Sequence, residues 1–69
     1  MQTFYTCNFP PDESVNLRKG AGRKHPIIAR VAYGKMLEGQ VYNAAWHLVS
    51  YKGQTGYIMS RYLRKHLPH

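Results

Sequence analysis

Residues 46–63 restrict the fold of this chain more than any other segment. Trp46 to Tyr51 and Thr55 to Met59 each have the composition of a short strand, and Lys52-Gly53-Gln54 between them contains the glycine of a hairpin turn. Ser60-Arg61-Tyr62-Leu63 is too short for a helix of normal length, but it suits a single helical turn. The segment therefore predicts a hairpin and a turn that together close a small β barrel.

The rest of the chain adds short segments of strand composition, separated by glycine and proline. Val15 and Leu17 alternate with polar residues, which predicts a half-buried strand with both side chains on one face. These further strands are predicted over residues 2–9, 15–18, 27–31, 36–42 and 64–67. No helix of ten residues fits, so the regular spacing of short strands predicts an all-β fold, a small barrel or sandwich, in a single domain over residues 1–69.

The predicted core consists of apolar residues spread over the strands and the final turn. These are Leu17, Ile28, Val31, Leu37, Val41, Val49, Ile58 and Leu63. A domain near this length buries only about 60% of the surface that its unfolded chain exposes, so the core is small. Gly39 falls inside the strand predicted over 36–42, where a glycine usually marks a bulge or a sharp bend.

The charge of the chain is strongly positive. Ten Lys and Arg residues oppose three Asp and Glu residues, which gives a formal net charge of +7. Residues 19–26 hold Lys19, Arg23, Lys24 and His25 between glycines and a proline, so they are predicted to form a long exposed basic loop. Such charge attracts nucleic acid, anionic cell-wall polymer or acidic lipid, and it also favours solubility, so charge alone does not select a partner.

Few residues are available for catalysis or metal binding. Cys7 is the one cysteine, which excludes an intrachain disulfide and a thiolate cluster, and we expect it to be a small buried hydrophobe. The histidines have neither metal-ligand spacing nor a paired acid; they are His25, His47, His66 and His69. His47 should face away from Trp46 and Leu48, either solvated or paired across strands. We expect no catalytic site, no metal and no enzyme activity.

Several motifs follow one another in a characteristic order. They are Val15-Asn16-Leu17-Arg18-x-Gly20, the basic loop, Ile27-Ile28-Ala29-x-Val31, Gly34, Trp46-x-x-Val49, Gly53-x-x-Gly56-Tyr57-Ile58 and Ser60-x-Tyr62-Leu63. In this order and spacing, about residues 15–63 resemble the bacterial SH3-like (SH3b) domain family. The chain departs from the family pattern at the basic loop, where small residues are usual, and at Gly39, where an apolar residue is more common.

The resemblance implies a partly open barrel of five to seven strands, with one helical turn near the carboxyl end and no catalytic groups. Many members of the family are modules of cell-wall hydrolases that bind peptidoglycan peptides, and others bind protein partners. The resemblance also implies that Asn16 and Arg18 brace the following loop through hydrogen bonds to backbone carbonyls. We therefore expect recognition rather than reaction, with no cofactor.

The aromatic residues are more numerous than a small core can bury, and Tyr and Trp are enriched where binding energy is concentrated. Tyr57 precedes core-facing Ile58, and Trp46 lies three residues before Val49, so both are predicted to point outward. The expected ligand-contacting residues are Trp46, Tyr57 and Tyr62, with Tyr33 or Tyr5 as the far wall of a groove and Arg23 and Lys24 at its end.

These features predict a module that binds an extended peptide, either a cell-wall peptide or a protein segment. The alternatives are a nucleic-acid-binding barrel, since aromatics stack on bases and basic loops neutralise phosphates, and a stand-alone adaptor or inhibitor that docks on one protein. We expect a monomer with no membrane partner. No secretory signal is recognised, so the chain is expected in the cytoplasm if Met1 is the native start, and at the cell envelope or outside the cell if it is a module of a larger secreted protein.

Overall fold

The structure is a computed structural model that describes residues 1–66. Its elements are β1 (Gln2–Thr6), β2 (Ser14–Arg18), β3 (Ile27–Ala32), β4 (Met36–Val41), β5 (Trp46–Tyr51), β6 (Gln54–Met59), a 3₁₀ turn (Ser60–Tyr62) and β7 (Leu63–Arg64). The strands pair antiparallel in one sheet, in the order β3-β2-β6-β5-β4-β1-β7. The predicted all-β fold of short strands with a single helical turn is confirmed. Among the residues described, no helix is long and apolar enough to cross a membrane.

Both terminal strands differ in length from the prediction. β1 ends at Thr6 rather than at Phe9, and Asn8 beyond it has a left-handed backbone (φ 65°) that a strand does not allow. β7 comprises only Leu63–Arg64 and pairs with the end of β1. Leu67, the last residue of the strand predicted over 64–67, lies outside the described residues.

Thr6 joins the two sides of this open sheet. Its hydroxyl donates a hydrogen bond to the carbonyl of Ala32 at the end of β3 (2.6 Å) and accepts one from the N–H of Lys35 (2.9 Å). The Thr6 N–H donates to the carbonyl of Lys35 (3.1 Å), and the Gly34 N–H donates to the carbonyl of Thr6 (2.9 Å). One of these four hydrogen bonds ties the fully buried end of β1 to the edge strand β3, and the other three tie it to the turn that follows β3, which gives the sheet the form of a partly open barrel.

The core cluster lies inside this curved sheet. Its buried members are Phe4, Val15, Leu17, Val31, Leu37, Val49, Ile58 and Leu63, with Ile28 half-buried against them. Six of the eight predicted core residues are therefore fully buried. The prediction for Val41 was wrong, because its side chain is 62% exposed. Val41 is the last residue of β4, and the pairing of β1 with β4 ends at Gly39. Val41 therefore lies beyond the end of β1, and β1 does not cover it.

Two glycines show how backbone geometry sets the strand connections. Lys52 and Gly53 both have positive φ (50° and 79°), and Tyr51 pairs with Gln54, as in a two-residue type I′ hairpin turn. Gly39 does not form the bulge suggested by the sequence, because β4 pairs with β5 in continuous register through it. A Cβ at Gly39 would collide with the backbone carbonyl oxygen of Leu48 and lie 2.7 Å from Cγ1 of Val49, so the close approach of the strands requires glycine there. The observed register shift is between Leu17 and Arg18.

Candidate functional site

An open groove of about 330 Å³ runs between β2, the start of β5 and the 3₁₀ turn. We call it the main groove. Its aromatic and apolar side is formed by Phe9, Trp46, Met59 and Tyr62, and its charged side includes Glu13, Arg18 and Arg23. The groove therefore combines a flat apolar surface with charged groups.

The pairing of β5 with β6 places Trp46 in this groove. Trp46 lies directly opposite Met59, and the next pair, His47 with Ile58, faces the core. Trp46 is thus on the sheet face opposite to Val49, as the alternation predicted. Its side chain is only 8% exposed, so it forms a wall of the groove rather than the projecting aromatic that was expected. It does not belong to the core cluster, which indicates a separate packing environment.

An asparagine turn fixes where β5 begins. The side-chain oxygen of Asn43 accepts hydrogen bonds from the backbone N–H groups of Ala45 and Trp46, both at 2.9 Å. Asparagine commonly makes such bonds to the backbone two or three residues on. This turn therefore holds the backbone of Trp46 at the edge of the groove.

Tyr62 and Phe9 add an aromatic pair to the lining of the main groove. Their ring centroids are 5.9 Å apart in an edge-to-face arrangement, and the guanidinium of Arg61 lies 5.5 Å from the Tyr62 ring. The sequence reasoning missed Phe9 because it placed this residue inside the first strand. The signal that could have indicated its role was the position of an aromatic residue directly before Pro10-Pro11, where a strand cannot continue.

Arg18 holds the basic loop beside the groove. One terminal guanidinium nitrogen, Nη1, donates to the carbonyls of Arg23 (2.9 Å) and His25 (3.0 Å). The N–H of Lys19 also bonds to the carbonyl of Pro26 across the base of the loop (2.9 Å). The Arg18 half of the predicted brace is confirmed and sets the backbone of Arg23 at the groove wall, whereas the described residues show no such bond from the Asn16 side chain.

A family model described as "Bacterial SH3 domain" matches residues 12–65, which is most of the chain. This chain belongs to the bacterial SH3 domain family. Domains of this family are generally non-catalytic binding modules, and this chain has an open groove on its surface. Neither a curated protein nor a solved structure matches the chain.

The main groove of this SH3 domain brings together three of the six residues predicted to contact a ligand, Trp46, Tyr62 and Arg23. The other predicted residues lie elsewhere. Tyr57 is on the outer face of β6, half-buried, with its ring 5.0 Å from that of Tyr42. Lys24 is exposed on the loop but does not line the groove.

Tyr33 and Tyr5, the two residues predicted as a far wall, do not line the main groove. Tyr33 lies on the other side of Phe9, with the two ring centroids 5.7 Å apart. Tyr5 is half-buried in β1, where it pairs with Met36 and Arg64. The groove of this SH3 domain is therefore closed on that side by Phe9.

Of the residues considered for chemistry, Cys7 and His47 are buried in the SH3 domain, and His69 lies outside the described residues. His47 faces away from Trp46 as predicted. Of the two environments predicted for it, solvated or paired across strands, the first is wrong because the side chain is buried; its ring hydrogen-bonds the Ser60 hydroxyl of the 3₁₀ turn (2.6 Å) and meets Phe4 of β1 edge-on (4.7 Å). Burial lowers the pKa of the His47 imidazole. Cys7 is 1% exposed, as expected for a buried hydrophobe, and burial raises the pKa of its thiol while Arg64 opposes that rise. Within residues 1–66, no three His, Cys, Asp or Glu side chains are grouped to hold a metal ion.

Proposed function

We propose that this SH3 domain is a non-catalytic module that binds an extended peptide in the main groove. The observation that carries the proposal is the joint presence of Trp46 and Tyr62 on one open groove, with Arg23 beside them. The expected ligand is a cell-wall peptide or a segment of a protein partner. Both have the extended backbone and spaced side chains that a groove of this shape accepts.

The side chains around the groove define what the peptide should carry. Trp46, Met59, Tyr62 and Phe9 offer apolar area with little conformational freedom to lose, which suits an apolar side chain of the ligand. Arg23 offers a guanidinium to a carboxylate, because a guanidinium fork pairs well with two carboxylate oxygens. The preferred ligand is therefore a peptide with an apolar residue close to an acidic group.

A fluorescence titration tests this function. Trp46 is the one tryptophan of the chain, so a change in emission reports on the groove alone. Purified cell-wall peptides, and in a second arm acidic peptides with an apolar residue, should produce a saturable change. An unchanged signal at millimolar concentrations of cell-wall peptide would count against the cell-wall version, and no response to either arm would contradict peptide binding in this groove.

Two neighbouring residues of the basic loop provide a matched pair of variants. Arg23→Gln and Lys24→Gln remove the same charge, but only Arg23 lines the groove. Arg23→Gln should weaken peptide binding by about tenfold through the lost charged contact, whereas Lys24→Gln should leave it nearly unchanged. Equal losses in both variants would indicate that the overall field of the domain, and not a contact in the groove, attracts the peptide.

Nucleic-acid binding is the second candidate, and the charge of the chain favours it. With ten Lys and Arg and three Asp and Glu residues, at least seven cations lack a carboxylate of their own. The Tyr42 and Tyr57 rings, with Tyr42 57% exposed, form an aromatic pair on which a base could stack. A mobility assay with single-stranded DNA and RNA at low ionic strength tests this candidate. Binding should weaken steeply as salt rises, and the absence of any shift at low salt would remove the candidate.

A further inference from the structure

A second groove lies on the other side of Phe9 and has a volume of about 430 Å³. We call it the far groove. Phe9 separates the two grooves, because its ring meets Tyr62 on the main-groove side (5.9 Å) and Tyr33 on the far-groove side (5.7 Å). The far groove does not share Trp46, Tyr62 or Arg23 with the main groove, so it is a separate surface feature.

The two sides of the far groove differ in chemistry. Phe9, Pro11 and Tyr33 supply an apolar side, and Cys7 adds a buried thiol. The other side is formed by Arg64, Lys65 and His66, all exposed. No carboxylate occurs among the described residues that line it. A groove lined by apolar side chains together with two cations and an imidazole is complementary to an anion carried on an apolar body.

The backbone beneath the far groove is held in place by long-range hydrogen bonds. The N–H of Cys7 donates to the carbonyl of Tyr62 (2.9 Å), and the side-chain nitrogen of Asn8 donates to the carbonyl of Arg61 (2.7 Å). Asn8 has the left-handed backbone (φ 65°) noted above, a conformation that costs free energy for residues other than glycine. The groove is therefore formed by a pinned chain reversal, which lowers the entropic cost of binding.

We infer that the far groove is a binding site for a carboxylate carried on an aromatic or aliphatic body. The apolar body packs against the touching rings of Phe9 and Tyr33, and the carboxylate meets Arg64, with Lys65 beside it. The carboxyl-terminal residue of a peptide and a small aromatic acid share this chemistry. The inference does not depend on peptide binding in the main groove.

The test uses small probes and backbone amide NMR spectra of the whole chain. N-acetylphenylalanine carries both the ring and the carboxylate; its amide lacks only the charge, and N-acetylglycine lacks only the ring. The acid should cause saturable shifts at residues 7–9, 33 and 64–66, and both matched probes should bind at least about tenfold more weakly. Phenylacetate forms a further arm: comparable binding would assign small aromatic acids, and weaker binding would assign a peptide end.

A charge variant with a matched control completes the test. Arg64→Gln should weaken binding of N-acetylphenylalanine by about tenfold. Arg61→Gln removes the same charge nearby, but Arg61 does not line the far groove, so that variant should bind normally. Circular dichroism of both variants checks that they fold. If Arg64→Gln does not fold, the difference in affinity of the unaltered protein for N-acetylphenylalanine and for its amide still tests the inference.

Four results would overturn the inference. The first is equal binding of the acid and its amide, because the negative charge of the ligand would then contribute nothing to its affinity. The second is a set of shifts confined to the main groove, or no shifts up to about 20 mM, beyond which affinity is too weak to be specific. The third is contact between residues 67–69 and the Tyr33 ring in the free protein, which would show that the chain fills its own groove. The fourth is a dependence of the same shifts on protein concentration, which would identify a second copy as the occupant.

Discussion

Substitution of Thr6 by valine tests whether side-chain hydrogen bonds hold the two sides of this barrel together. The Thr6 hydroxyl is fully buried and bonds both the carbonyl of Ala32 (2.6 Å) and the N–H of Lys35 (2.9 Å). Valine has nearly the same volume as threonine, but it has a methyl group in place of the hydroxyl. Thr6→Val therefore removes both bonds, while the backbone bonds of Thr6 and the packing around it can remain.

The size of the effect follows from these two bonds. One intramolecular hydrogen bond contributes a net of about 0.5–1.5 kcal/mol, so the loss of two costs about 1–3 kcal/mol. The partners left behind belong to Ala32 and Lys35, which are exposed residues, so water can reach these groups and the full penalty for unpaired buried groups does not apply. We expect the free energy of unfolding to fall by about 2 kcal/mol, which lowers Tm by roughly 8–16 °C in a domain of this size.

Urea unfolding followed by Trp46 fluorescence and far-ultraviolet circular dichroism measures this change. The m-value should stay the same, because the surface exposed on unfolding does not change. Thr6→Ser is the control: it keeps the hydroxyl and loses one methyl group, which costs about 0.8 kcal/mol. The reasoning is refuted if Thr6→Val is as stable as the wild type, or if Thr6→Ser is the less stable of the two variants.

Three further changes address pH dependence, strand packing and the loop. Burial lowers the pKa of the His47 imidazole from 6.5, so as the pH falls the imidazole is protonated in the unfolded chain before it is protonated in the folded one. The free energy of unfolding should therefore fall as the pH drops from 6.5 through the lower pKa of the folded state. Urea unfolding between about pH 5 and 8 measures this fall, which should be smaller in His47→Gln. Gly39→Ala should cost about 3 kcal/mol or more in thermal melts, because its Cβ would collide with the backbone carbonyl of Leu48 and press on Val49. This exceeds the cost of roughly 1 kcal/mol for the positive φ in Gly34→Ala, whose Cβ meets no atom within 4 Å. Arg18→Gln should speed hydrogen exchange of the backbone amides in residues 19–26 by about fivefold, because it removes the hydrogen bonds that hold the loop. Arg30→Gln removes a charge elsewhere and is the control. If the loop amides of Arg18→Gln exchange as slowly as those of Arg30→Gln, Arg18 does not hold the loop.

The parts of the fold that depend on local chemistry could be predicted from the sequence. The β5–β6 hairpin follows from a glycine that accepts positive φ, and the buried face of β2 follows from the alternation of Val15 and Leu17. The error at Val41 has a different origin. Its exposure depends on where β1 stops pairing with β4, and that limit is a long-range feature that the composition of β4 does not contain.

The candidate site shows the same division between local and long-range information. Alternation placed Trp46 and Tyr57 on the outer face of the sheet, but it could not show that Trp46 is covered while Tyr57 packs against Tyr42. The position of Phe9 depends on the bond between Asn8 and Arg61, which are 53 residues apart. No local pattern contains that contact, so the sequence alone could not separate Tyr33 from Tyr62.

Phe9 explains why the aromatic surplus of this chain forms two grooves instead of one. If β1 had continued to Phe9 as predicted, that residue would have been part of the ladder, and nothing would separate Tyr33 from Tyr62. The reversal at Asn8 instead sets the ring of Phe9 edge-on to both tyrosines, at 5.7 Å and 5.9 Å. Each groove therefore has its own cations, Arg23 for the main groove and Arg64 for the far groove, and the two share one aromatic wall.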